Sequence, residues 1–119
     1  MSLHITPEMM EATYELLLHT LPFKRWKLPS ADEVSFVVIE TDHFAADYNF
    51  LAGKTHRIRI NNKWIGSLPK LLICIAHEMV HMRLECECVS DQLSAGHGPP
   101  FQKLARLVCK HHGFEEKSF

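Results

Sequence analysis

Hydrophobic residues recur at helical spacing near both ends of the chain. The first such stretch, residues 7–21, follows Thr6-Pro7, a pair suited to starting a helix, and stops before Pro22. The last begins at the two prolines 99 and 100 and ends near Gly113, a residue suited to a helix C-terminus. The pattern predicts a helix in each stretch. Their apolar stripes are Met10, Tyr14, Leu17, Leu18 and Leu21 in the first, and Phe101, Leu104, Ala105 and Val108 in the last.

A third stretch, residues 71–88, is apolar on most sides rather than along one stripe. Ser67 is suited to cap its start, Pro69 is tolerated in a first turn, and no further Gly or Pro follows until Gly96. A helix that is apolar on most sides is usually buried. We therefore predict a central, buried helix here, followed by a loop over residues 89–98.

Residues 33–61 change to the patterns of strands. Residues 33–40 are rich in β-branched side chains, residues 45–51 alternate, and residues 55–61 place His56, Ile58 and Ile60 on one face. Short connections between neighbouring strands favour an antiparallel meander. The prediction is one α+β domain over residues 1–119, with helices packed on a small antiparallel three-stranded sheet.

Composition narrows the class of protein without naming a function. Hydrophobic residues make up 46% of the 119 and charged residues 23%, as in ordinary globular proteins, and a net charge of −1 gives no global signal for nucleic acid. The four cysteines form no CxxC pair, which favours reduced thiols inside a cell. With neither a signal-peptide pattern nor a long apolar run, we expect a cytoplasmic protein and no membrane partner.

Candidate chemistry lies on the central helix, in His77-Glu78-Met79-Val80-His81. Two histidines four residues apart lie about 40° apart around a helix and roughly 6 Å apart along it. Both imidazoles therefore share one face, where they can hold one zinc ion, while Glu78 is offset enough to reach a water on the metal. A catalytic zinc usually takes three protein ligands, so a third residue is needed.

Several residues compete to be that third ligand. The spacing HExxHxxGxxH fails, because positions 84 and 87 hold Leu84 and Glu87. The best candidate is His97, which lies between two glycines just before the last helix, where the backbone can approach the site closely. Cys86 or Cys88 are alternatives. On the central helix, Cys74 and Glu85 share a stripe with His81 and could support the ligands from behind.

Residues 73–81 (ICIAHEMVH), followed by Gly96-His97-Gly98 and Phe101, resemble the SprT-like zinc metallopeptidase domain. The strand RIRIN before the central helix is similar to a strand of that family, so the resemblance covers most of the chain. It implies a zincin-like fold, zinc held by His77, His81 and His97, and Glu78 as the catalytic acid and base. Family members hydrolyse proteins, and the best known act on proteins crosslinked to DNA. Many also carry a zinc ribbon with paired CxxC motifs, which this sequence lacks.

The expected function is thus hydrolysis of a protein or peptide by a zinc-activated water. One alternative is a non-catalytic zinc-binding module, associated with DNA or acting as an adaptor. Another is a zinc hydrolase of small amides, although deformylase-like enzymes take an upstream cysteine ligand that no residue before Cys74 supplies. Candidates for an additional oxyanion donor are Tyr48, His56 and His111.

Two further expectations concern partners. Strand 55–61, or a neighbour, could be a sheet edge that pairs with an extended substrate, or an ordinary solvated strand. The segment 48–77 holds five basic residues and no acidic ones, and Lys103, Arg106 and Lys110 add a basic helical stripe. These charges predict either a weak DNA-facing surface or a plain solvated face. The five basic residues are Lys54, Arg57, Arg59, Lys63 and Lys70.

Overall fold

The computed structural model describes residues 4–88 and 97–119. In chain order it has helix α1 (Pro7–Leu18), strands β1 (Val34–Ile39), β2 (Ala46–Leu51) and β3 (Thr55–Asn61), helix α2 (Leu68–Cys86) and helix α3 (Pro99–His112). Short 3-10 helices occupy Phe23–Arg25, Ala31–Glu33 and Glu116–Ser118. The predicted α+β class, with three strands and three helices in the expected order, is confirmed.

The start of each long helix follows from its capping residue. The Thr6 hydroxyl accepts the Met9 backbone N–H (3.2 Å) at the start of α1, and the Ser67 hydroxyl accepts that of Lys70 (3.3 Å) at the start of α2. α1 ends at Leu18 rather than at the predicted residue 21. Beyond it, the Thr20 hydroxyl donates to the Leu17 carbonyl (2.7 Å), and this local bond replaces the next helical turn.

The predicted antiparallel meander is wrong in one pairing. β1 runs parallel to β3, with Val34 opposite His56 and Ile39 opposite Asn61, and β3 lies in the centre of the order β1-β3-β2. Only β2 is antiparallel to β3. The sheet is therefore mixed, and its edge strands are β1 and β2 rather than β3.

Asn61, at the end of β3, explains the mixed pairing. Its buried side-chain amide donates to the backbone oxygens of Thr41 (2.7 Å) and Phe44 (2.8 Å), and its backbone N–H donates to Ala45 (2.8 Å). These bonds hold the connection between β1 and β2 across the end of β3. Because neighbouring strands lie about 4.8 Å apart, the connection needs to span only roughly 10 Å to reach the opposite edge.

α2 is the centre of the packing, as its apolar sequence predicts. It contacts α1, α3, β2 and β3, and its side chains from Leu71 to Leu84 supply much of the core. Ile58 and Ile60 of β3 are fully buried beneath it. No helix within the described residues has the length and apolar character needed to cross a membrane.

Candidate metal centre

α2 brings His77 and His81 to one face, as their spacing predicts. Their ring centroids lie 5.1 Å apart, and both side chains are half-buried. The neighbouring turns of α2 are locked in the core by fully buried residues such as Met79 and Val80. The helix therefore presents two imidazoles from a rigid support.

His97 completes a three-histidine cluster from the residue before the N-cap of α3. Its Nε2 lies 3.0 Å from Nε2 of His77 and 3.1 Å from Nε2 of His81. Two nitrogens on a tetrahedral zinc ion, with bonds of about 2.0–2.1 Å, lie roughly 3.3 Å apart. The three nitrogens thus converge almost as zinc ligands do, and the cluster can hold a metal ion.

The backbone on either side of His97 is only partly described. Gly96 lies outside the described residues, and Gly98 is buried at the start of α3 with an ordinary φ of −75°. The Gln102 side chain donates to the His97 carbonyl (3.1 Å), which ties the residue to the first turn of α3. This bond, rather than an unusual glycine conformation at Gly98, holds His97 in place.

Phe101 forms a common apolar support for the cluster. Its ring centroid lies 4.8 Å from that of His77, 4.6 Å from His81 and 4.7 Å from His97, and the side chain is buried. A buried aromatic ring in contact with all three imidazoles limits their rotation and keeps water from their rear. The predicted role of Phe101 as a residue of the apolar stripe of α3 is only part of its role.

The environment keeps two of the imidazoles neutral. Burial, the largest cause in each case, lowers the pKa of His77 to about 4 and that of His81 to about 3. Repulsion from the neighbouring histidines lowers both values further. A metal ligand must be an unprotonated imidazole, so both residues are in the required state at neutral pH.

Glu78 is the most deeply buried charged residue of the described chain, with 5% of its surface exposed. Its carboxyl takes part in no side-chain hydrogen bond or ion pair of the described residues, and its oxygens are not among the fully buried, unpartnered atoms, so they are open to the cleft that the residue lines. Burial, followed by repulsion from Asp47, raises the pKa of Glu78 from its usual 4.5 to about 8. A carboxyl held in this way is a stronger base than an exposed one and has no structural bond to satisfy.

The raised pKa predicts how Glu78 affects stability in the metal-free protein. Between about pH 4.5 and about pH 8 the folded chain keeps a proton that the unfolded chain releases, so stability falls as pH rises. The slope has an upper limit of about 1.4 kcal/mol per pH unit. Glu78→Gln removes this loss, so its stability advantage over the wild type should grow across the same window.

Urea unfolding in the presence of a chelator measures this advantage at several pH values. The matched control is Glu85→Gln, which changes an exposed carboxylate two turns further along α2. Glu78 is not among the causes of the lowered histidine pKa values, so these cancel in the difference between Glu78→Gln and the wild type. A Glu78→Gln advantage that does not change between about pH 5 and about pH 8 contradicts the burial argument.

A cleft of about 650 Å³ opens onto His77, Glu78, His81 and His97. β2 forms one wall over its whole length, Ala46–Leu51, and α2 forms the other. Because β2 pairs only with β3 in the described sheet, its other edge faces this cleft. The sequence left the substrate-facing edge open between strand 55–61 and a neighbour. β3 lies in the centre of the sheet, and the strand along the cleft is its neighbour β2.

The three candidate oxyanion donors have different positions. Tyr48 lines the cleft, and its hydroxyl lies 2.6 Å from Nδ1 of His56. His56 does not line the cleft itself and lies behind two residues that do, Tyr48 and Phe50. His111 is exposed on α3, away from the cleft lining. Of the three, Tyr48 is the residue in a position to contact a substrate.

The cysteines and the remaining acidic candidate lie outside the cluster. Cys86 and Cys88 are exposed near the end of α2, and within the described residues the only candidate metal group consists of the three histidines. Cys74 is buried and lines a small cavity beside His77 and Glu78, and burial raises the pKa of its thiol to about 11. Glu85 lines the cleft but is exposed.

Two residues near the centre have no signal in the sequence pattern. The backbone oxygen of Phe119 accepts a hydrogen bond from Nδ1–H of His77. No periodic pattern in residues 113–119 predicts a contact with α2. Asp47 lies close enough to Glu78 to raise the pKa of the Glu78 carboxyl. The alternation of residues along β2 gives no indication that Asp47 lies near α2. Both effects depend on how elements meet in space, which spacing along one element cannot show.

The basic segment 48–77 is partly neutralised. Arg59 forms an ion pair with Asp47, Lys63 forms one with Asp42, and Arg57 donates to the Asn49 side chain (2.8 Å). Two of its five cations are thus paired with acids on neighbouring elements. Association with DNA stays a prediction, with fewer free charges available than the sequence alone suggests.

No protein-family model matches this chain, and no curated protein matches it. The resemblance to the SprT-like domain therefore stays a prediction from the motif residues. Evidence for a reactive site therefore comes from the arrangement of the three histidines and Glu78 around the cleft.

Proposed function

We propose that this chain is a zinc-dependent metallopeptidase of the SprT-like kind, which hydrolyses protein or peptide bonds with Glu78 as general acid and base. The observation that carries the proposal is the convergence of three imidazole nitrogens beside the buried carboxyl of Glu78, all facing one cleft. Among the described residues, that carboxyl has no hydrogen-bond partner. Structural zinc sites use four protein ligands, whereas catalytic sites use three and leave one position open. Three ligands and a free base favour a catalytic site.

The donor set fits zinc. Imidazole nitrogens suit Zn²⁺, and the 3.0 and 3.1 Å separations of the Nε2 atoms are close to those of a tetrahedral ion. His77, His81 and His97 would hold the metal. When bound, zinc supplies a Lewis acid that polarises a carbonyl and lowers the pKa of water.

Glu78 performs the proton transfers of the reaction. Its carboxylate takes a proton from the attacking water as the water oxygen bonds to the peptide carbonyl carbon. The carbon–nitrogen bond then breaks, and Glu78 delivers the same proton to the departing amine. Burial of the carboxyl strengthens it as a base, and the absence of a competing hydrogen bond among the described residues leaves its oxygens available.

The position of β2 along the cleft favours an extended peptide as the substrate. The edge of β2 that pairs with no other described strand runs along the wall of the cleft and faces the histidine-bearing side of α2. An extended chain laid against this edge gains backbone hydrogen bonds, and its carbonyls pass the metal centre in turn. A cleft as long as a six-residue strand favours a peptide over a small amide.

N-methylated peptides test this binding mode. Along an extended substrate, alternate N–H groups point toward the strand edge, so methylating one of them removes a hydrogen bond and adds a clash. We expect kcat/KM to fall by about 3–10-fold or more for each such methyl group, from the net value of one hydrogen bond. Methylation of the next residue, whose N–H points away, should have a much smaller effect. Equal losses at both positions would show that the substrate does not pair with β2.

A further inference from the structure

The last residues of the chain turn back toward α2. Gly113 ends α3 with a left-handed φ of 73°, and its N–H donates to the Cys109 carbonyl (2.8 Å). Glycine adopts this conformation without strain, which allows the chain to reverse. The 3-10 helix Glu116–Ser118 then runs beside α3 and delivers Phe119 to His77.

A row of stacked rings anchors this segment. The His112 ring stacks on Phe114 (5.4 Å between centroids), Phe114 stacks on Phe119 (6.1 Å), and Phe119 lies 5.3 Å from the His77 ring. At the far end, Nε2 of His112 lies 3.0 Å from the Thr20 hydroxyl, beyond α1. The segment therefore connects the end of α1 with a ligand of the metal centre.

The contact with His77 decides which ring nitrogen faces the metal. Nδ1–H of His77 donates to the backbone oxygen of Phe119, so Nε2 keeps its lone pair. That Nε2 is the atom that lies 3.0 Å from Nε2 of His97. The bond to Phe119 thus selects the tautomer of His77 that the three-histidine cluster requires.

Phe119 acts from the side of His77 that faces away from the substrate. It lines two smaller cavities beside His77, of about 230 and 200 Å³, but does not line the main cleft. Its ring also lies 6.3 Å from Phe101, the common support of the cluster. The segment is therefore placed to orient the ligand without blocking the cleft.

We propose that residues 113–119 form a strap that positions His77 for metal binding, with Phe119 as the positioning residue. The ring of Phe119 packs against His77, and its backbone oxygen fixes the orientation and tautomer of the imidazole. The strap rests on the metal site of the proposed function but not on the hydrolysis of peptides. Its expected consequence is that loss of the Phe119 ring weakens zinc binding while leaving the cleft intact.

Zinc affinity of Phe119→Ala, measured by competition with a chromophoric chelator, tests the strap. Loss of a group that orients a ligand typically weakens metal binding by about 10–100-fold, and we expect a loss in that range. Phe119→Tyr keeps the ring and should bind zinc almost as the wild type does. Lys117→Ala changes an exposed side chain of the same strap that does not touch His77, and its affinity should stay unchanged.

A second measurement follows the His77 tautomer in the metal-free protein by nitrogen NMR of the imidazole rings. The wild type should hold its proton on Nδ1. Phe119→Ala keeps the backbone oxygen but loses the ring that packs against His77 and holds that oxygen in place, so it should show a mixture of tautomers. The strap proposal is overturned if Phe119→Ala binds zinc with wild-type affinity and keeps the wild-type tautomer of His77. It is also overturned if Lys117→Ala loses as much zinc affinity as Phe119→Ala. Because neither readout uses proteolysis, a wild type that binds zinc but cleaves nothing refutes the peptidase and leaves the strap standing. A wild type that binds no zinc refutes the metal site, and the tautomer then tests the contact alone.

Discussion

Glu78→Gln is expected to bind zinc as the wild type does and to lose peptide cleavage almost completely. The amide keeps the shape of the side chain but cannot accept the proton of the attacking water. General acid–base catalysis contributes about 10²–10⁴-fold to rates, so kcat should fall within or beyond that range. Metal analysis and a cleavage assay on the same preparation measure both properties.

Glu85→Gln is the matched control for this loss. Glu85 also lines the cleft from α2, but it is exposed and stands apart from the histidine cluster. We expect cleavage within a few-fold of the wild type for this variant. Retained cleavage in Glu78→Gln at full zinc occupancy would remove Glu78 from the mechanism. A loss of zinc in that variant would instead show that Glu78 supports the metal.

His97→Ala should abolish tight zinc binding and, with it, cleavage. Zinc sites with four protein ligands are worth about 10–16 kcal/mol, so losing one ligand of three should weaken binding on the order of 10²–10³-fold. The folded structure should persist, because His97 is only half-buried and α3 is held by Phe101, Ala105 and Val108. Chelator competition measures the affinity, and circular dichroism checks the fold.

His111→Ala provides the comparison, since it removes an exposed histidine of α3 outside the cluster. Its zinc affinity should equal that of the wild type. Full zinc retention in His97→Ala would refute the three-histidine centre and return Cys86 or Cys88 to consideration as ligands.

The sequence predicts the site better than it predicts the sheet. The spacing of His77 and His81 on one buried helix needs only the geometry of that helix, and the prediction holds within α2. His97 joins them because α3 folds back across α2, which its apolar stripe makes favourable. The strands are also found where alternation predicts them. Their order is different, because the side chain of Asn61 holds a connection across the end of β3.

The sequence pattern cannot predict contacts made by residues that lie outside a periodic helix or strand pattern. Phe119 reaches His77 through a chain reversal at Gly113 and a row of stacked rings, none of which repeats at a helical or strand spacing. The edge position of β2 follows from the strand order β1-β3-β2, and the sequence alone leaves it open whether strand 55–61 or a neighbour is that edge. The extent of Glu78 burial likewise depends on α2 meeting β2, where Asp47 adds its charge.

The most direct test of the account is cleavage of an extended peptide, measured against zinc content, in the wild type and Glu78→Gln side by side. For the wild type, the account predicts that cleavage is absent after chelation and rises with added zinc until one equivalent per chain is bound. Glu78→Gln should take up the same equivalent with no rise in cleavage. Two results would contradict this prediction. One is wild-type cleavage that continues after zinc is removed. The other is a wild type that binds one equivalent of zinc and cleaves none of a broad set of extended peptides.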